Sequence, residues 1–260
     1  MDGVKGAQAV ARASLLLRIV SASSPDGAST GIAMQRSGLT RPTVHRLLSA
    51  LAEEGLVDQD PRTGRWHPGP ELFLMGAVAA SRYDISDLAR ETLRVIAART
   101  GESAFLSARR GDETVCLLAE EGSFPLRSFV LHEGVRFPLG VASAGLVMLA
   151  FLPSAQVDAY FQRHPELAEA WGGEHAEQHV RERAAATRAA GFAVNPGLIV
   201  EGSYGIGAAV FDRRGEPAWA LSVTGVESRF PVERQREIGA LLLHHAHELG
   251  TRLQSDRRAR

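Results

Sequence analysis

Ser29–Gly55, STGIAMQRSGLTRPTVHRLLSALAEEG, constrains this chain more than any other segment. Val44, Leu47, Leu48 and Leu51 recur at i, i+3, i+4 and i+7, one stripe of an α-helix. Thr40 stands where an N-cap belongs, with a hydroxyl able to accept a free backbone N–H. Pro42 falls in the first turn, where a missing N–H costs little, and Gly55 can take the left-handed conformation that ends a helix. Ile32 and Met34 give a short preceding helix its apolar side, and Gly38 permits the sharp turn between the two. The face opposite the leucines carries Arg41, His45, Arg46 and Ser49. No Asp or Glu occurs between Gly27 and Ala52, whereas Arg36, Arg41 and Arg46 do. Two short helices around a tight turn, the second presenting cations outward, suit the major groove of DNA.

The next segment, Leu56–Gly69 (LVDQDPRTGRWHPG), predicts a β-hairpin. Leu56, Val57 and Gln59 form one strand, Arg65, Trp66 and His67 the other, and Asp60, Pro61 and Gly64 supply the turn. Arg62 and Arg65 are expected near its tip. A helix–turn–helix followed by a basic hairpin is a winged helix, whose wing offers cations to a phosphate or a minor groove. The expected contacts to double-stranded DNA are therefore Arg36, Thr40, Arg41, Thr43, His45, Arg46 and Ser49 from the helix pair, with Arg62 and Arg65 from the wing.

Net charge does not by itself favour nucleic acid. The 260 residues hold 29 Lys+Arg and 30 Asp+Glu, for a formal charge of −1. Residues 1–80 are only one charge positive, so cation placement and more than one copy of the domain must supply affinity. No uninterrupted apolar run approaches the length of a membrane span, and no membrane partner is expected. The N-terminal apolar stretch is interrupted by Arg18 and reads as an amphipathic helix, not a signal peptide. Cys116 is the single cysteine, which excludes an intrachain disulfide and points to a reducing cytoplasm.

The periodicities predict a first helix over about Gln8–Ser23, with Ala13, Leu16, Leu17 and Val20 in its core stripe. Leu15 and Ile19 lie on a different face, read as a dimer contact. Pro70–Tyr83 is strongly apolar and reads as a linker helix able to self-associate. A helix over Asp84–Thr100 turns Leu88, Leu93, Ile96 and Ala97 inward and stops at Gly101. Strands follow at Ser103–Ala108 and Thr114–Ala119, joined by RRGDE, and at Leu126–Leu131. Helices are expected at Ala142–Phe151 and Glu174–Ala190, strands at Phe192–Val194, Gly205–Asp212 and Ala218–Thr224, and a closing helix at Val232–Leu253 before a frayed tail. This order implies an α+β protein: a winged helix over 1–69, a linker over 70–83, and over 84–260 an antiparallel sheet with flanking helices that can enclose a small-molecule pocket.

GLTRPTVHRLLSALAEEGLV, DPRTGRWHPGPEL, GVRFPLGVASAGLVMLAFLP and LSVTGVESRF, in that order, resemble the IclR-type bacterial transcriptional regulators over about Val10–Leu253. The resemblance implies a winged helix-turn-helix, a linker helix and a GAF-like effector-binding domain. It also implies homodimers or dimers of dimers on palindromic operators, with a small-molecule effector as second partner and no cofactor. Carried over residue by residue, Ser143 and Ala144 in GVASAG, Asn195, Ser203 and Gly205 in GSYGIG, and Ser222 and Thr224 in LSVTG fall on pocket-lining positions, with Phe129 and Phe137 closing the pocket. The chain departs from the family where Gly140 replaces a usual His, Leu146 a usual Lys, and Met34 a usual small residue. NPGLIVEGSYG stands for a commonly acidic stretch, so the family's effector chemistry does not transfer. Independently, small residues at a helix start leave room and free N–H groups for an anion, and hydroxyls at alternate strand positions face one side. Ser, Thr and Asn beside Phe point to a small organic acid, with an aromatic one fitting well.

Catalysis and metal binding are not expected. Ser143 lies in G-x-x-S-x-G, not the G-x-S-x-G of a strained nucleophile turn. His175 and His179 are spaced i, i+4, yet their surroundings read as a solvated helix. His244, His245 and His247 have no i, i+4 pair among themselves, and Cys116 reads as core. One competing reading is a small-molecule sensor whose winged helix meets another protein; failure to select any DNA sequence, with ligand binding retained, would favour it. The other is a hydrolase using Ser143, which turnover abolished by Ser143→Ala would revive.

Overall fold

The computed structural model describes residues 7–80 and 85–255, and the chain divides into two compact units, Met1–Asp84 and Ile85–Arg260. The first contains α1 (Gln8–Ser21), α2 (Thr30–Ser37), α3 (Arg41–Glu53), β1 (Val57–Gln59), β2 (Trp66–Pro68) and α4 (Pro70–Ala80). Its core joins Leu16, Ile19 and Val20 of α1 to Ala33 of α2, Val44, Leu48 and Leu51 of α3, Val57 and Trp66. Ser29 caps α2 by accepting a hydrogen bond from the Ile32 N–H, and Gly38 turns the chain at φ 67°. β1 and β2 pair antiparallel with Gln59 opposite Trp66, and Trp66 exchanges both backbone hydrogen bonds with Ala28, at 2.8 and 2.9 Å. The hairpin is thereby fastened to the α1–α2 connection.

Three expectations are corrected in this unit. Ile19 is buried in the unit's own core and Leu15 packs against it, so neither forms a separate dimer face; α1 is apolar on a wide arc because helices and wing both press on it. α1 also ends at Ser21. Thr40 occupies the N-cap of α3 with extended backbone, but its hydroxyl caps no N–H and instead meets the Thr43 hydroxyl at 3.0 Å. The linker helix is described to Ala80, and 81–83 lie outside the described residues.

The second unit contains α5 (Ile85–Thr100), β3 (Ser103–Arg110), β4 (Glu113–Glu120), β5 (Arg136–Pro138), α6 (Ser143–Ala150), α7 (Ser154–Arg163), α8 (Leu167–Trp171), α9 (Glu177–Ala190), β6 (Phe192–Pro196), β7 (Ser203–Phe211), β8 (Pro217–Val226) and α10 (Val232–Ser255). The described strands form an antiparallel sheet in the order β5-β4-β3-β8-β7-β6. The two-residue period of a strand assigns its faces. Ile206, Ala208, Val210, Leu221 and Val223 pack on α5 and α10 through Leu93, Ile96, Ile238, Leu242 and Leu249. On the other face Ala193, Ala209 and Ala220 pack on α6 and its neighbours through Ala144, Val147, Met148 and Val180. Small residues recur on that second face because α6 lies close to the sheet: a Cβ at Gly207 would stand 3.0 Å from the Ser143 carbonyl carbon.

Leu126–Leu131 is not a strand; it is irregular, and β5 forms later, with Phe137 opposite Thr114. LRSFVL lacks alternation. Phe129 points to solvent while Val130 and Leu131 turn inward, which a two-residue period cannot do. α7 and α8 lie where the sequence reading placed nothing, and α9 starts at Glu177 after a 3-10 turn at Gly173–His175. Among the described residues no helix is long and apolar enough to cross a membrane.

Candidate nucleic-acid interface and effector pocket

The helix-turn-helix positions its cations as the leucine stripe requires. With Val44, Leu48 and Leu51 turned inward, Arg41, His45 and Arg46 stand exposed on α3 and Arg36 on α2. Thr40 is exposed, Thr43 and Ser49 are half-buried, and the Ser49 hydroxyl stands 3.4 Å from His45 Nδ1. Among the described residues no carboxylate pairs with the guanidinium of Arg36, Arg41, Arg46 or Arg62. An unpaired guanidinium on an acid-free surface keeps its donors for a phosphate or a guanine edge.

The two wing arginines differ. Asp60 accepts from the N–H groups of Arg62 and Thr63 and so shapes the turn, which holds its carboxyl below the ordinary range. Arg62 is left exposed. Arg65 is half-buried and donates through Nη1 to the carbonyls of Gly27 (3.0 Å) and Asp26 (3.4 Å), so it braces the wing against the α1–α2 loop.

In the second unit a cavity with about 440 Å³ of empty space, its mouth included, opens between the start of α6 and the β3–β8–β7 face. Six of the seven residues carried over to the cavity wall line it: Ser143, Ala144, Asn195, Ser203, Gly205 and Thr224. Phe137, buried at the end of β5, closes one side. Two expectations fail. Ser222 points toward the same sheet face but is fully buried, one position deeper than the cavity wall. Phe129 is 86 % exposed and belongs to an outer groove with Arg127 and Val200.

Ser107, Thr114, Val130, Leu131, Ala142, Ile199 and Tyr204 also line the cavity and were not anticipated. Ser107 and Thr114 could have been found as hydroxyls within apolar strands; Val130, Leu131 and Ile199 lie in loops, where no period marks an inward side.

Among the described residues no Asp, Glu, Lys, Arg or His lines the cavity. Its polarity comes from hydroxyls and from α6, whose first intrahelical bond, Leu146 N–H to the Ala142 carbonyl, leaves the N–H groups before it unused by the helix. No side chain caps α6. The Thr224 hydroxyl is buried and has no partner among the described residues, whereas Ser203 bonds the Ser128 hydroxyl at 2.6 Å. Both ends of the Asn195 amide are engaged by backbone: its Nδ2 donates to the Val141 carbonyl at 2.7 Å and its Oδ1 accepts from the Leu198 N–H. It holds the cavity wall in shape and offers its side to whatever the cavity contains.

His175, His179 and Cys116 are occupied or inert. His175 is buried between the Trp171 and Val141 carbonyls, and His179 meets the Gly173 carbonyl, so the i, i+4 pair does not converge. Burial pushes the Cys116 thiol up to about 12, which leaves it protonated and unreactive.

Comparison with known proteins agrees with this geometry. Residues 9–61 match the IclR helix-turn-helix domain and residues 77–251 match the bacterial transcriptional regulator IclR C-terminal domain. The transcriptional repressor IclR of Escherichia coli K12 is 26% identical over 243 residues, 93% of this chain and 88% of that protein. An IclR transcriptional regulator from Alicyclobacillus acidocaldarius superposes with a TM-score of 0.78 at 24% identity, covering 94% of this chain and 98% of the other. An IclR homologue from Microbacterium hydrocarbonoxydans, solved with 4-hydroxybenzoate, superposes with a TM-score of 0.76 at 20% identity, covering 95% and 100%. With an N-terminal helix-turn-helix and a C-terminal regulatory domain both matched in order, this chain belongs to the IclR family of DNA-binding bacterial transcriptional regulators.

Proposed function

We propose that this chain is a ligand-responsive transcription factor in which α3 reads an operator and the cavity of the second unit holds a small organic acid that changes operator affinity. The observation that carries the reading is the exposed, acid-free face of α3. Arg41, Thr43, His45, Arg46 and Ser49 enter the major groove, while Arg36, Thr40 and Arg62 hold the backbone on either side. The near-neutral charge of the whole chain is consistent with affinity that depends on two or four copies engaging a palindrome together.

The cavity suits a monoanion. The first turn of α6 supplies N–H groups and a positive helix end for a carboxylate, and the partnerless Thr224 hydroxyl supplies a second anchor for a polar group on the same ligand. Phe137, Val130, Leu131 and Ile199 cover apolar atoms between them. The 4-hydroxybenzoate held by the Microbacterium homologue has this pattern of a carboxylate, an apolar ring and a hydroxyl. A ligand that prefers one arrangement of the regulator shifts operator affinity by the difference it makes between the two states.

Electrophoretic mobility shift on the DNA upstream of the chain's own gene tests the interface. Arg41→Ala with Arg46→Ala is expected to weaken specific binding at least tenfold, because each bidentate base contact contributes about 1–3 kcal/mol. Unchanged binding by the double variant would end the assignment of α3. A thermal-shift screen of aliphatic and aromatic acids tests the cavity: a ligand of the folded state raises the melting temperature, and Thr224→Val is expected to reduce that rise.

A further inference from the structure

A second polar cluster lies on α10, outside both sites. Among the described residues His244, His245 and Glu248 are the group whose ligand atoms converge, all lying within 4.8 Å of one another. His244 Nε2 stands 3.5 Å from Glu248 Oε1 and His245 Nδ1 stands 3.2 Å from Glu248 Oε2. The histidines alone have no i, i+4 spacing, but Glu248 stands four residues after His244 and three after His245, so all three side chains reach one patch of the helix.

The three groups are of the types that a divalent cation takes as ligands. Glu248 has no Arg or Lys partner among the described residues, and both of its oxygens face imidazole nitrogens. Metal–nitrogen and metal–oxygen bonds of about 2.0–2.2 Å at a tetrahedral angle separate neighbouring ligand atoms by about 3.4 Å. Both histidine–carboxylate separations lie close to that distance. The His244 side chain is 64% exposed and can swing to shorten the remaining gap, whereas the His245 side chain is 12% exposed and held by packing.

We propose that His244, His245 and Glu248 form a surface site for a divalent transition-metal ion of the zinc–nickel–copper group. Three protein ligands leave at least one position open to water or to a further ligand, unlike a closed four-ligand structural zinc site. Two imidazoles and one carboxylate also favour these ions over calcium and magnesium, which prefer oxygen.

Isothermal titration of the full chain, without an affinity tag, with zinc chloride at pH 7.5 tests the site. One Zn²⁺ per chain is expected, with affinity at least tenfold weaker in His244→Ala and in Glu248→Gln and unchanged in His247→Ala, which alters an exposed neighbour. Titration with cobalt(II) adds a reading independent of stability: visible absorption of a low-symmetry nitrogen–oxygen site appears in the parent chain and is lost in both ligand variants. No zinc binding, or equal affinity in all variants, would overturn the proposal, as would loss of binding in His247→Ala. An unaltered cobalt spectrum in Glu248→Gln would do the same.

Discussion

Single side chains divide this protein into groups that recognise and groups that brace, and the division does not follow residue type. Arg62 and Arg65 are three residues apart on one wing, yet one is exposed and the other donates to two carbonyls of the α1–α2 loop. Arg62→Ala is expected to leave stability unchanged, weaken binding evenly across DNA sequences and lower the salt slope by about 1. Arg65→Ala is expected to destabilise the first unit by about 1.5–3 kcal/mol, the scale of a charge-assisted hydrogen bond. Chemical denaturation and salt-dependent DNA titration of the two variants separate these outcomes. Asn195 teaches the same lesson in the cavity: its residue type suggests a ligand contact, but both ends of its amide are engaged by backbone. Glu102 is buried with Arg229 and Arg234 beside it and joins the start of β3 to the start of α10, a tie no local pattern announces.

At the scale of elements, legibility followed periodicity. α3, α5 and α10 carry clear 3.6-residue periods and strands β3, β4, β7 and β8 are apolar runs bounded by turn residues, and all were anticipated within a few residues. The expected strand at Leu126–Leu131 is a loop because its apolar residues face opposite ways, and α7 and α8 escaped because their apolar stripes are short. Seven cavity residues, Phe137 among them, came through resemblance; the loop-borne lining did not, since loops have no repeat that marks an inward side. Close approach of α6 to β7 sets the cavity depth, and Gly207 is the point of closest passage. Gly207→Val is expected to push α6 outward, destabilise the second unit by about 1–3 kcal/mol and abolish effector-induced thermal shifts, while the isolated DNA-binding segment keeps its helicity. Differential scanning calorimetry with and without ligand measures both effects.

For the whole molecule, one buried and one half-buried histidine make stability depend on pH. His175 and His245 are both held below their ordinary value of 6.5 by burial. As pH falls through 6.5 the unfolded chain takes up protons that the folded chain refuses, so stability falls with acidification. Asp112, held below its ordinary 3.8 by Arg163 and His164, adds its loss only under more acidic conditions. Urea unfolding from pH 7.5 to pH 4.5 is therefore expected to show a declining midpoint, with a shallower decline in His175→Gln. A second prediction at this scale concerns self-association. Phe73, Leu74 and Met75 of α4 are exposed at 77%, 53% and 56%, a run of consecutive large apolar side chains. Phe73→Ser with Met75→Ser is expected to move the sedimentation equilibrium toward monomer and to weaken operator binding with it.

The amino-acid sequence alone determined the winged helix, the outward cations of α3 and the antiparallel sheet with its helices, because each of these is a pattern read along the chain: a leucine stripe, an acid-free window, apolar runs bounded by turn residues. Tertiary structure alone decided which of two like arginines is exposed, that Ile19 is core, that Phe129 leaves the cavity and Ser222 lies beneath it, and that Asn195 is a brace. Each of those outcomes depends on which backbone carbonyl or side chain arrives from a distant part of the chain, and distance in space leaves no period in sequence.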